Sequence, residues 1–367
     1  MNTTNLTKTK IVNTKVAIIG CGDIFPAYLQ GLRHFPELQL IAIADARTEL
    51  AQARSQEFDV PAMSVEALLQ SSAQIVINLT PPSAHHVVCM QILKAGKHVY
   101  SEKPLAANFA QAQELIAYAK QAQLRVACAP DTFLGAAGQT ARELIDSGKL
   151  GRIVAGQASM MERGPDDWHP NPEFFYQTGA GPMLDMGVYY LTQLVQLLGP
   201  IEQVRGTAQS SWSEREIRRG ARKGDKIAVH TPSHVMADLY FASGCMIHLT
   251  TSFDVWKHQG QHLELFGEEG SLVLPDPNNF GGTLQICSED GAWQNVPNDK
   301  PYSDNLRGLG VADLAHAIAQ HQEHRASGDM ALHVLEVMES ILLSAQSEQK
   351  ITLTTTCSRP RPLADNT

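Results

Sequence analysis

The 367-residue chain contains no apolar run approaching the ~18 residues that a membrane-spanning helix needs, which excludes a transmembrane segment from the reading. Its opening, MNTTNLTKTKIVNTK, lacks the apolar core of a secretory signal. It reads as a disordered lead-in, and a cytoplasmic location with no membrane partner is expected. The six cysteines, Cys21, Cys89, Cys128, Cys245, Cys287 and Cys357, lie far apart without a C-x-x-C pair. They predict reduced, buried thiols and no metal site. A basic surplus is missing too, because a formal charge of −9 gives no electrostatic footprint for a nucleic-acid partner. One basic run, Arg215 to Lys226, reads either as a solvated loop between strands or as a loop closing on an anionic group or a partner subunit. There is no internal repeat.

What is present is a regular alternation. KVAIIG (15–20), LQLIAIAD (38–45), QIVINLT (74–80), KHVYSEK (97–103) and RVACAP (125–130) are short apolar runs of the kind that parallel strands buried on both faces show. Helical patterns over 24–34, 47–57, 83–95 and 108–123 separate them. The order predicts a doubly wound Rossmann sheet. After a further helix over 135–147 the pattern changes to alternating strands around the turns Ala242-Ser243-Gly244 and Glu268-Glu269-Gly270, which read as antiparallel hairpins. The predicted fold is therefore α/β: a Rossmann domain over 14–134, and an α+β domain with a mostly antiparallel open sheet over 135–357 that binds substrate and makes the oligomer. Helices near 311–321 and 330–344 should pack on that sheet or back on the first domain. The tail after Cys357 reads as loosely ordered.

Function is written at the strand ends. The first strand runs into Gly20-Cys21-Gly22-Asp23-Ile24-Phe25. Gly20 permits a tight turn, and Gly22 lets the backbone approach a pyrophosphate at the positive end of the next helix. Phe25 occupies the place of the usual third small residue. Asp45 ends the second strand, about where a carboxylate accepts hydrogen bonds from the adenosine ribose. The alternative is that it only caps the following helix. A carboxylate there repels a 2′-phosphate, so NAD is expected over NADP, although Arg47 stands close by.

Two further strand ends, Asn78-Leu79-Thr80-Pro81-Pro82 with His85 and Ser101-Glu102-Lys103-Pro104, face the same edge. Together with GKHVYSEKPLA (96–106), the G-x-G turn and Asp45, they make the chain from Lys15 to Leu353 resemble the Gfo/Idh/MocA oxidoreductases. The resemblance implies a nicotinamide cofactor, a catalytic Lys103, and cofactor contacts at Gly20, Gly22, Asp23, Ile24, Asp45, Ala46, Thr80, Pro81, His85, Glu102 and Lys103. Downstream, Gly179-Ala180-Gly181-Pro182-Met183-Leu184-Asp185-Met186-Gly187-Val188-Tyr189 is similar to that family's glycine-rich segment, with Ala180 for a glycine and Tyr189 where a histidine is usual. This implies Asp185 and Tyr189 in the substrate pocket, on one helix face at a spacing of four; Tyr189 as a core aromatic is the alternative. Trp168 and His169, in the loop Glu162–Pro170, read as a wall for a sugar ring or as ordinary loop packing. Asp131 and Thr132 face the same edge as weaker candidates.

These residues point to hydride transfer between NAD and a secondary alcohol of a sugar, polyol or glycoside, with Lys103 and Tyr189 as one proton relay. An NAD-dependent glycosidase and a non-catalytic dinucleotide-binding regulator remain the alternatives. A homodimer or homotetramer is expected, joined through the open sheet face.

Overall fold

The apolar stretch after Asn13 forms β1 (Thr14–Ile19), and its last four residues are all buried. In this computed structural model residues 13–363 are described; the opening residues 1–12, read above as a disordered lead-in, lie outside them. The chain continues through α1 (Phe25–Leu32), β2 (Leu38–Ala44), α2 (Thr48–Phe58), α3 (Val65–Gln70), β3 (Ile75–Asn78), α4 (Pro82–Lys94), β4 (His98–Ser101), α5 (Phe109–Gln121) and β5 (Val126–Cys128). The short α3 has no counterpart in the sequence reading. Its six residues are too few for periodicity to register, but Ser64 caps it by accepting the Ala67 N–H.

The five strands pair in parallel in the order β2-β1-β3-β4-β5. The order in which strands are added switches sides between β1 and β3, so a crevice opens beyond their carboxyl ends. The second half runs α6 (Ala136–Asp146), β6 (Ile153–Met161), α7 (Val188–Leu198), β7 (Ile201–Gln209), β8 (Glu214–Glu216), β9 (Lys226–Ala228), β10 (His234–Phe241), β11 (Met246–Ser252), β12 (Leu263–Gly267), β13 (Ser271–Leu274), β14 (Leu284–Cys287), β15 (Trp293–Val296), α8 (Leu309–Ala319), α9 (Gly328–Ser347) and β16 (Ile351–Thr352). Nine of these strands form one sheet, β15-β14-β13-β12-β6-β11-β10-β7-β16, antiparallel except for the β6–β11 pair. Both predicted hairpin turns fall where the structure places them, between β10 and β11 and between β12 and β13.

Two packing facts position the site. Helix α8 leaves the second half to join the Rossmann core: Val311, Leu314 and Ala315 bury against Ile18, Ile77 and Tyr100. Helix α9 lies between β7 and α5, so the two sheets share helices. On the open face of the large sheet, Met236 and Met246 are exposed beside Asp238, which pairs with His248 at 3.0 Å.

Two sequence expectations need correction, the second at one residue. The tail is pinned as far as Leu363, because Arg142 donates to the Pro360 carbonyl at 2.7 Å and the Leu363 N–H donates to Gln139 Oε1 at 2.7 Å. The basic run, exposed over most of 218–226, keeps the reading of a solvated loop between two strands except at Arg215. It is the β8–β9 hairpin, whose Arg215 is buried against Asp166 and Asp254, each at 2.7 Å, while Arg222 is taken by Glu173 and Asp225. Three of these acids, Asp166, Glu173 and Asp254, come from segments distant in sequence, and Asp225 lies within the run itself. All six thiols are free, and among the described residues no helix is long and apolar enough to cross a membrane.

Candidate active site

The turn after β1 is shaped for a bound phosphate. Gly20 has φ +106°, and a Cβ there would lie 2.5–2.8 Å from the Leu79 and Thr80 backbone; only glycine lets the ends of β1 and β3 meet. Above Gly22 the space is open, with nothing within 4 Å of an added Cβ. Among the described residues no acceptor takes the N–H of Gly22, Asp23 or Ile24. Three free amides at a helix start match what a pyrophosphate binds. A dinucleotide therefore fits the residues present.

Asp45 stands across the same turn. Its Oδ2 accepts the Cys21 N–H at 2.8 Å, and its Oδ1 accepts the Arg47 N–H at 2.8 Å. It thus organises the turn after β1, and it caps nothing inside α2, whose first residue is Thr48. Ala46 lies between the two, while the Arg47 side chain is largely exposed. On the other wall, Asn78 Oδ1 accepts from the N–H and hydroxyl of Thr80, at 3.1 and 2.6 Å, and so fixes the approach to Pro81. His85 is buried, its ring nitrogens lying 2.6 Å from the Pro104 carbonyl and 2.8 Å from that of Thr80. Burial pushes it below the ordinary histidine range. It ties two loops of the crevice together and is not an open-faced contact.

At the end of β4 a polar network emerges from the core. Glu102 accepts from the Tyr28 hydroxyl at 2.7 Å and from the Lys103 N–H at 3.0 Å. The carboxylate is thereby held back, and the lysine side chain is directed outward. Lys103 Nζ donates to Asp185 twice, to the carbonyl and to Oδ1, both at 2.8 Å. Asp185 sits in a wide π-type turn, Met183–Gly187, that leads into α7. Tyr189 follows on α7, almost fully buried, with Lys103 Nζ 5.2 Å from its ring centroid. Burial works against the Lys103 ammonium, but Asp185 and Tyr189 outweigh it and hold the lysine above its ordinary range.

Lys103, Asp185 and Tyr189 are thus brought together from β4 and α7. The contact differs from the expected relay, since the lysine lies over the tyrosine ring and bonds to the aspartate. The group at the Tyr189 hydroxyl is Arg307, whose Nη2 lies 3.3 Å away. Sequence reading missed Arg307, as it missed Asn278, which accepts from the same nitrogen at 3.2 Å. Neither belongs to a motif, and Arg307 follows Tyr189 by 118 residues.

Glu162 also reaches this region. Burial, followed by the nearby Asp185 and Asp276, raises its carboxyl above the ordinary range. Trp168 is exposed, and His169 packs edge-on against Trp168, Phe174 and Phe175. Asp131 is fully buried, with Oδ2 accepting the N–H groups of Gly308 and Gly310 at 3.0 and 2.9 Å. It clamps the start of α8 and does not line the pocket.

Comparison with known proteins agrees with this geometry. Residues 14–129 match the oxidoreductase family with an NAD-binding Rossmann fold, and residues 139–273 match the Gfo/Idh/MocA C-terminal domain. A dTDP-3,4-didehydro-2,6-dideoxy-alpha-D-glucose 3-reductase of Streptomyces violaceoruber is 29% identical over 350 residues, which is 90% of this chain and 95% of that protein. A D-glucoside 3-dehydrogenase of Escherichia coli K12 is 26% identical over 65% of this chain and 70% of its own length. In fold, the chain is similar to levoglucosan dehydrogenase, solved with NADH and L-sorbose, at a TM-score of 0.80 and 21% identity over 94% of this chain and 99% of that one. The two profile matches span most of the chain in the right order, on the fold and phosphate turn described above; this protein is a member of the Gfo/Idh/MocA family of oxidoreductases, with an NAD-binding Rossmann domain.

Proposed function

We propose that the protein catalyses reversible hydride transfer between NAD and a secondary alcohol of a sugar or glycoside, at the C3 position of a glucose-type ring. The observation that carries this is the Lys103 ammonium. Two of its three N–H groups are committed to Asp185 at 2.8 Å, which leaves one for a substrate oxygen beside the Tyr189 hydroxyl. Position 3 is favoured because the two similar enzymes named above both act there by name.

When bound, the nicotinamide supplies or takes the hydride, and the protein supplies orientation and the proton. Because Lys103 is held above its ordinary range, it stays an ammonium through neutral pH. In the reduction direction it polarises the carbonyl oxygen, and Tyr189 gives the proton that completes the hydroxyl. In oxidation the same proton returns to Tyr189 while Lys103 steadies the forming alkoxide. Asp185 aims the lysine, and Trp168 and His169 supply an aromatic wall at the mouth. Asp45 meets the ribose hydroxyls and disfavours a 2′-phosphate, which supports NAD over NADP.

The test is NADH formation across a panel of sugars, inositols and methyl glucosides, with the 3-keto product identified by NMR. Lys103→Met should then lower kcat by about 10²–10⁴-fold and leave the Kd for NADH, read by nucleotide fluorescence, within a few-fold. Turnover of Lys103→Met within tenfold of the parent overturns the assignment. Release of free sugar from a glycoside without net NADH would instead identify a redox-assisted glycosidase.

A further inference from the structure

Tyr189 has an unusual neighbour. Arg307 precedes α8 and is only 9% exposed, yet both of its side-chain hydrogen bonds end on neutral oxygens, the Tyr189 hydroxyl at 3.3 Å and Asn278 Oδ1 at 3.2 Å. Its Nη1 is buried without a hydrogen-bond partner among the described residues. A buried guanidinium ordinarily comes with a carboxylate, because removing a charge from water costs several kcal/mol. Here Glu102 and Asp131 influence it from a distance without touching it. The backbone is held firmly: Asp131 anchors Gly308 and Gly310, and Gly31 of α1 packs directly against the Arg307 carbonyl. A costly cation is thus locked in place with its N–H aimed at one phenol.

We propose that Arg307 is the positioning residue of the proton-transfer step, holding the Tyr189 oxygen and stabilising it as phenolate when the proton is on the substrate. This rests on the reading of Tyr189 as proton donor and acceptor. The geometry favours it in two ways. Arg307 donates into a lone pair of the Tyr189 oxygen, so the phenol's own hydrogen is left to point elsewhere, and no acceptor takes it among the described residues. A guanidinium keeps its charge at every working pH, so the stabilisation does not depend on the state of the other groups facing the phenol, which are Lys103 over its ring and Asp185 one turn earlier.

The experiment compares Arg307→Met, Arg307→Lys, Tyr189→Phe and the double variant Tyr189→Phe/Arg307→Met. Without substrate, the part of the ultraviolet phenolate absorbance that Tyr189→Phe removes should appear at higher pH in Arg307→Met, and at an intermediate pH in Arg307→Lys. With the sugar that gives turnover, Arg307→Met should lose roughly ten- to hundredfold in kcat, the worth of one hydrogen bond to a charged group. KM and the Kd for NADH should hold within a few-fold. The alkaline rise of the oxidation rate should move up in pH, and Arg307→Lys should recover part of both losses. In the double variant, Arg307→Met should add little to the loss already caused by Tyr189→Phe. An unmoved phenolate titration, or losses that multiply in the double variant, overturns the role of Arg307 while Tyr189 stands. Near-parental kcat in Tyr189→Phe overturns the reading of Tyr189 and the proposal with it. Should Arg307→Met fail to fold, the titration and pH profile of Arg307→Lys decide alone.

Discussion

Gly31 offers a test in which two local effects oppose each other. It lies in α1, where alanine in place of glycine ordinarily stabilises a helix by about 1 kcal/mol. In this fold the added Cβ would sit 2.0 Å from the Arg307 carbonyl oxygen, 2.9 Å from its carbon and 3.1 Å from its nitrogen. The obstacle is backbone, so no rotamer change relieves it. The Arg307 segment must retreat by roughly 1 Å against the Asp131 clamp, and overpacking of this kind costs about 3 kcal/mol at the upper end of its usual range. The clash wins. Gly31→Ala should be less stable by about 2 kcal/mol, which corresponds to a fall of roughly 2–3 °C in Tm for a 367-residue chain unfolding as one unit. Because the displaced residue is Arg307, kcat should fall as well, while NADH binding at the Gly20–Ile24 turn is retained. Calorimetry and steady-state kinetics on one preparation suffice. A Gly31→Ala protein as stable as the parent or more so would show that α1 and the Arg307 segment are not packed as described.

Three shorter predictions follow from other parts of the molecule. Asp45→Ser should narrow the preference for NAD over NADP in kcat/KM, and it should also weaken NAD binding, because the Cys21 N–H loses its acceptor; unchanged ratios would remove Asp45 from cofactor selection. Light scattering at micromolar concentration should find a dimer or tetramer joined through the open face carrying Met236 and Met246, whereas monomer alone would refute it. His333 is pushed down to about 4 by burial, and its Nε2 accepts the Ile201 N–H at 3.0 Å. With the folded value below that of an ordinary histidine near 6.5, its stabilising contribution is intact above about pH 6.5 and is lost as pH falls toward 4. His333→Gln should flatten the acid side of a Tm–pH curve, and an unaltered slope would exclude it.

Much of this molecule is legible in its sequence. Parallel strands buried on both faces write themselves as continuous apolar runs, so β1 to β5 and their crossover helices stood within a residue or three of their observed bounds. The G-x-G turn and Asp45 are legible as local features of strand ends, whereas Lys103, Asp185 and Tyr189 are named only because their short segments resemble those of the family. What the sequence could not express were pairings between distant segments. The capture of Arg215 by Asp166 and Asp254, the pinning of the tail by Arg142 and Gln139, and the return of α8 to the Rossmann core all depend on long-range contacts that leave no periodic trace. The site itself divides along that line. Lys103, Asp185 and Tyr189 were named from short motifs. That the lysine bonds to the aspartate, and that a buried arginine from a motif-less loop faces the phenol, was decided only when packing brought β4, α7 and the start of α8 to one point, because charge partnership depends on distance in space and not along the chain.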